Sequence, residues 1–174
     1  MPASFEDMLK GGHPNSLGRT LQVVEMVEHD PSLMEELYAC YRSEDEVVRL
    51  RTSNAFKRIT KSHKDWVTPY LDKFLHEISE LDQASARWTL AQICLLMTYD
   101  MTAEQMNRAK EVLKHNLTTQ TDWIVLTQTM ETLGKWAKKD IILKKWMLPH
   151  LEKHTQDNRK SVAGKAQKIL SLLR

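Results

Sequence analysis

The 174-residue sequence predicts an all-α fold, a right-handed αα superhelix (solenoid) of stacked helix pairs. Three observations carry that expectation. Apolar residues recur at helical spacing along nearly the whole chain, in runs mostly 12 to 17 residues long with short connections between them. Aspartates open alternate helices, at Asp45, Asp82, Asp122 and Asp157, with spacings of 37, 40 and 35. The phrase Trp66-Val67-Thr68-Pro69-Tyr70-Leu71-Asp72-Lys73 returns as Trp146-Met147-Leu148-Pro149-His150-Leu151-Glu152-Lys153, a W-x-x-P-x-L-[DE]-K pattern at an offset of 80, twice that period. Two helices per 35–40 residues is a solenoid signature: a lone pair leaves one apolar face open, and stacking the pairs closes it. A four-helix bundle is the structural competitor, but nine short helices suit it badly and the recurring phrase has no reason to exist there. Composition agrees, since five Gly and five Pro are few for a hairpin-rich protein, and 41% hydrophobic with 28% charged residues is an ordinary globular balance.

Taken in order, residues 1–14, with Gly11, Gly12 and Pro14, read as a loose lead-in, and residues 15–174 as a single domain of a half repeat and about four helix pairs. Asn15 or Ser16 caps a first helix striped by Leu17, Leu21, Val24 and Val27. Asp30-Pro31 starts a second, with proline at its first position. Helices then follow over 46–60, 65–78, 82–98, 102–117, 122–137, 140–154 and 157–173. Thr102 and Gln105 form a capping-box pair. Cys40 and Cys94, both among apolar residues, are expected as small buried hydrophobes, and one pair is not a disulfide framework.

The segment Ser43-Glu44-Asp45-Glu46-Val47-Val48-Arg49-Leu50-Arg51-Thr52-Ser53-Asn54-Ala55-Phe56-Lys57-Arg58-Ile59 resembles a HEAT repeat, in which the turn carries Asp and the second helix opens with Val-Arg followed by small residues. Pro149, Asp157, Val162, Ala166 and Ile169 fit a second copy, with Ala163 where arginine is expected. Pro69 fits the first-helix proline of another copy, whose second helix has Ala84-Ser85 in place of Val-Arg. The copy near Asp122 has Trp123-Ile124. The resemblance spans about residues 17–174 and implies an armadillo-like helical scaffold. Some members of the wider HEAT-like group resemble DNA-alkylation glycosylases; the functional Trp, Asp and Arg of that class have no positions here, so the activity does not carry over.

Charge is uneven. Residues 131–174 hold eleven basic and four acidic side chains, a net of +7, against −5 for residues 1–130. A basic end on an acidic body steers a polyanion or an acidic partner. The candidate partner-binding residues are Arg49, Arg87 and Arg159 on the second helices, and Lys135, Lys138, Lys139, Lys144 and Lys145 beside Trp136 and Trp146. Lysines hold phosphates while the aromatics beside them stack on bases, and lysines equally snorkel around packed rings. Arg51, Arg58, Lys160 and Lys165 join the arginines on the same row of helices.

No chemical constellation stands out. His150 and His154 share a helical face, but Leu151 stands where a zincin needs glutamate, and Gly11-Gly12 lacks the context of a phosphate loop. The expectation is a non-catalytic protein-binding scaffold using the concave face of the solenoid, with no cofactor, metal or small-molecule substrate. The alternative is a nucleic-acid binder using the basic C-terminal or concave surface, and behind it a glycosylase-like enzyme. The longest apolar stretch near the middle, Ile93 to Met97, is far short of a span, and the acids near the N-terminus do not suit a secretory signal, so a cytoplasmic protein is expected.

Overall fold

Helix caps and apolar stripes set the element order in the computed structural model, which describes residues 3–174. All regular structure among these residues is helical: α1 (Phe5–Leu9), α2 (Thr20–His29), α3 (Met34–Ala39), α4 (Glu46–Ser62), α5 (Lys64–Val67), α6 (Leu71–His76), α7 (Ala84–Leu96), α8 (Ala103–Thr119), α9 (Trp123–Ala137), α10 (Ile141–His154) and α11 (Lys160–Leu173), with short 3-10 turns at Pro31–Leu33, Cys40–Arg42, Thr68–Tyr70 and Ile78–Glu80.

Asp45, Asp122 and Asp140 each accept a hydrogen bond from the backbone N–H two residues on, satisfying donors that a helix start leaves orphaned. Thr102 and Gln105 close a reciprocal capping box at the start of α8. Asp82 and Asp157 do not cap. Gln83 and Arg159 hold the cap positions of α7 and α11; Asp82 binds the Arg87 side chain, and Asp157 accepts both the backbone N–H and the guanidinium of Arg159 one position outside the helix. The first long helix begins at Thr20 rather than after Asn15 or Ser16, because Gly18 sits at φ +52° and turns the chain there. The expected helix over 65–78 is broken at Pro69 into α5, a 3-10 turn and α6, whereas α10 runs unbroken through Pro149.

The segment read as a loose lead-in contains α1, whose Phe5, Met8 and Leu9 lie in the core. Arg51 holds it there. Although grouped by sequence with the groove-lining arginines, Arg51 is only 2% exposed. Its guanidinium donates to the carbonyls of Leu9 and Gly11 at 2.6 Å each, and to those of Ser16 and His13 at 3.2 and 3.3 Å. These carbonyls include ones the end of α1 leaves unpaired, so the charge meets dipoles rather than a carboxylate. Gly18 lies against that guanidinium: an added Cβ would stand 2.8 Å from Arg51 Cζ.

Packing proceeds by neighbours. Helix α2 packs on α4, α4 on α7, α7 on α9 and α9 on α11, while α6 packs on α8, α8 on α9, and α10 on α9 and α11. The hydrogen bonds that tie these layers together mostly span 30 to 42 positions, among them Tyr38 to Glu77, Lys110 to Asp140, Thr132 to the Ala91 carbonyl, and Arg51 to Leu9. A shared core runs through all of them, with Phe56, Leu90, Leu133 and Ala166 each at most 1% exposed. At its N-terminal end sits a ring cluster of Tyr38, Tyr41, Phe56, Tyr70 and Phe74, with centroids 5.1–6.2 Å apart. At the other end α9 and α11 meet closely at Gly134, where a Cβ would stand 2.7 Å from Ile169 Cγ2. Leu173 is buried and Leu172 exposed at the end of α11.

Candidate functional site

The sequence-selected cations scatter when placed on this frame. Arg49 is half-buried and spent internally, its Nε donating to Gln83 Oε1 and Nη1 to the Ser43 carbonyl, so it joins α4 to the start of α7. Arg159 likewise donates to the Thr121 carbonyl and to Asp157, whose carboxyl this arginine holds well below the usual range. Arg87 pairs with Asp82 at 3.2 Å and lines a polar hollow with Arg108, Glu80 and Glu111. Lys144 is half-buried and Lys145 exposed on α10. Neither lines a cavity with Lys135 and Lys139, so the expected five-lysine group is divided. Lys138 faces a separate small hollow beside Lys168 and Leu172.

Lys135 and Lys139 are brought together, on the rim of a trough of about 670 Å³. Its walls come from four places in the chain: Leu95, Thr98 and Tyr99 at the end of α7, Met106 and Lys110 on α8, Lys135, Trp136 and Lys139 at the end of α9, and Asp140, Ile141 and Ile142 at the start of α10. It therefore lies at an edge of the stack, between the α7–α8 and α9–α10 connections, rather than along the row α4–α7–α9–α11.

Local structure fixes each wall. Trp136 is 7% exposed and donates its indole N–H to Thr98 Oγ1 at 2.9 Å, which orients the ring and ties the end of α9 to the end of α7. Asp140 accepts from the backbone N–H groups of Leu143 and Ile142 and from Lys110 Nζ at 2.8 Å. The Leu143 N–H, then the Lys110 ammonium, hold its carboxyl below the usual carboxylate range. The inward face of α10 is Leu143, Met147 and Leu151, which leaves Ile141 and Ile142 on the outside of its first turn, 61% and 75% exposed. Tyr99 stands opposite at 87%. Three large apolar side chains on the lips of one trough are a patch of the kind that marks an interaction site.

Neither Tyr99 nor the isoleucines were singled out by sequence. The available signal was Ile141-Ile142 directly after the capping Asp140: consecutive apolar residues off the face defined by Leu143 and Met147. Tyr99 carries no such signal, being a lone aromatic in a connection.

Chemistry-bearing groups elsewhere are occupied or quiet. Burial pushes the Cys40 and Cys94 thiols up to about 12, away from the thiolate a nucleophile needs. His154 Nε2 contacts the Leu117 carbonyl, and the His150 ring lies 4.2 Å from Trp146, over which Lys114 also sits at 5.1 Å. Among the described residues no three His, Cys, Asp or Glu side chains converge as a metal would require, and no helix is long and apolar enough to cross a membrane. Comparison with known protein families and with curated proteins finds no match for this chain.

Proposed function

We infer that the chain is a short solenoid of HEAT-like helix pairs acting as a non-catalytic, protein-binding scaffold in the cytoplasm. The nearest-neighbour order of α4, α7, α9 and α11, and the 30–42-residue reach of the bonds between layers, support the repeat reading. The observation that carries the function is the trough itself: Tyr99, Ile141 and Ile142 stand 61–87% exposed on its lips over a floor of Leu95, Met106 and Trp136. Its one carboxylate, Asp140, is engaged by two backbone N–H groups and Lys110, which leaves no free general base beside the aromatic wall. The two buried thiols suit a reducing compartment.

A nucleic-acid reading has its own support in the C-terminal lysine surplus. Lys135, Lys138 and Lys168 surround one hollow whose carboxylate, Glu131, is already shared by Lys135 and Lys165. Capture of the tagged full chain from a native extract, with and without nuclease, separates the two. A discrete protein near equal stoichiometry that survives nuclease supports the scaffold. Recovery of nucleic acid, or of partners lost on nuclease treatment, with affinity falling steeply as salt rises, supports phosphate binding instead.

A further inference from the structure

Resting on the scaffold reading, we propose that the edge trough docks a single amphipathic helix of a partner protein: two apolar side chains about one turn apart enter between Tyr99 and Ile142, and carboxylates on the flank of that helix meet Lys135 and Lys139.

Shape argues for a helix over a small ligand. Tyr99, Ile141 and Ile142 line the trough yet stand 61–87% exposed, so a small molecule on the floor covers only part of them, while a rod lying across the trough covers more. Apolar anchors at i and i+3 or i+4 are how helices engage such grooves. Charge selects which helix. The carboxylates around the trough are spent: Asp140 on Lys110 at 2.8 Å, Asp100 on Lys64 at 3.6 Å, and Glu131 on Lys165 and Lys135 at 2.7 and 3.3 Å. Two cations share Glu131, and Lys139 makes no ion pair among the described residues, so the rim keeps a positive surplus. A basic helix meets repulsion there and an acidic one attraction. A nucleic-acid strand satisfies the lysines but sets its phosphates against two isoleucines.

Selection from a random-peptide phage library on the wild-type full chain tests this. Enriched sequences are expected to carry apolar residues at helical spacing with flanking Asp or Glu. In a fluorescence-anisotropy titration of the best peptide, Ile142→Asp is expected to weaken binding by about 30-fold or more, a hot-spot loss. Lys135→Glu with Lys139→Glu is expected to cost roughly tenfold and to flatten the salt dependence. These positions are exposed, so the variants are expected to fold, with melting curves that overlay the wild type as the check. Peptides without acidic bias, peptides bound equally by Ile142→Asp, or no enrichment overturn the proposal. So does a short DNA duplex that binds the wild type and is lost in the double lysine variant. If the native capture yields a protein partner that the trough variants hold equally well, the scaffold reading stands and this assignment falls. If the wild type captures no protein, both fall together.

Discussion

The two copies of W-x-x-P-x-L-[DE]-K fold differently. Around Pro69 the chain breaks into α5, a 3-10 turn and α6; around Pro149 the helix continues for fourteen residues. The residues before each proline explain it. Val67 and Thr68 are β-branched, which adds to the crowding a proline already imposes on the preceding turn, whereas Met147 and Leu148 are helix formers unbranched at Cβ. The contrast extends to the halves of the molecule. Apart from the 17-residue α4, the N-terminal half is built largely of short helical pieces held by specific contacts: the Arg51 guanidinium, the five-ring cluster, and the Tyr38–Glu77 and Tyr70–Glu35 bonds. The C-terminal half is built of long continuous helices in close apolar contact, and it carries the trough. The short pieces lean on directional bonds more heavily, while the long helices add bonds such as Trp136–Thr98 and Thr132–Ala91 to an extensive apolar contact.

Breaking a directional bond should therefore hurt most. Arg51→Met leaves the buried Leu9 carbonyl and the part-buried ones of Gly11, His13 and Ser16 without this donor, and is expected to cost about 3 kcal/mol. Hydrogen exchange should show α1 and the 10–18 segment opening first, and protection there equal to wild type refutes the clamp. Next comes Gly134→Ala. Its Cβ would stand 2.7 Å from Ile169, and forcing α9 from α11 should cost about 1–3 kcal/mol, more than the helix propensity that alanine returns. Gly18→Ala combines φ +52° with a Cβ 2.8 Å from Arg51 Cζ, and should destabilise by about 1–2 kcal/mol through the clamp.

The prolines sharpen the comparison. Pro149→Ala should stabilise by about 1 kcal/mol, raising Tm by roughly 2–4 °C, because it restores a donor inside a continuous helix. Pro69→Ala should change Tm little, since that proline already sits in a 3-10 turn. Equal shifts would show that the helix break has another cause. The smallest effect is with pH. Hydrogen bonding to Lys165 lowers the Glu131 carboxyl below its ordinary range, as the Leu143 N–H and Lys110 do for Asp140. Groups with depressed values contribute stability at neutral pH that is lost as pH falls through their folded values, below about pH 4. A Glu131→Gln, Asp140→Asn variant should lose less stability than wild type between pH 5 and about pH 3 in denaturant titrations.

Sequence made much of the frame legible. The 3.6-residue stripes placed α4, α8, α9 and α10 within about two residues, because long amphipathic helices average out local noise. Asp45, Asp122 and the Thr102 box were readable as helix openings because a single side chain bonding two or three residues on is a local event. Arg51 was not: its partners lie 35 to 42 residues away, and nothing in an arginine on a helix says that it points inward. The site was half legible. Lys135, Trp136 and Lys139 are one local phrase, but the trough exists only where that phrase meets Tyr99 and Ile142, and that meeting is tertiary.

The short reach of the bonds between layers has a consequence for how the chain is made. Partners 30 to 42 residues apart mean that each layer meets its complement soon after both have left the ribosome. At about 5–20 residues per second, roughly one layer completes every 2 to 8 seconds. Helix α1 waits for Arg51, so that segment of the nascent chain cannot settle until α4 has emerged. From then on synthesis and folding advance in step, and the trough, assembled from residues 95 to 142, is the part that matures late.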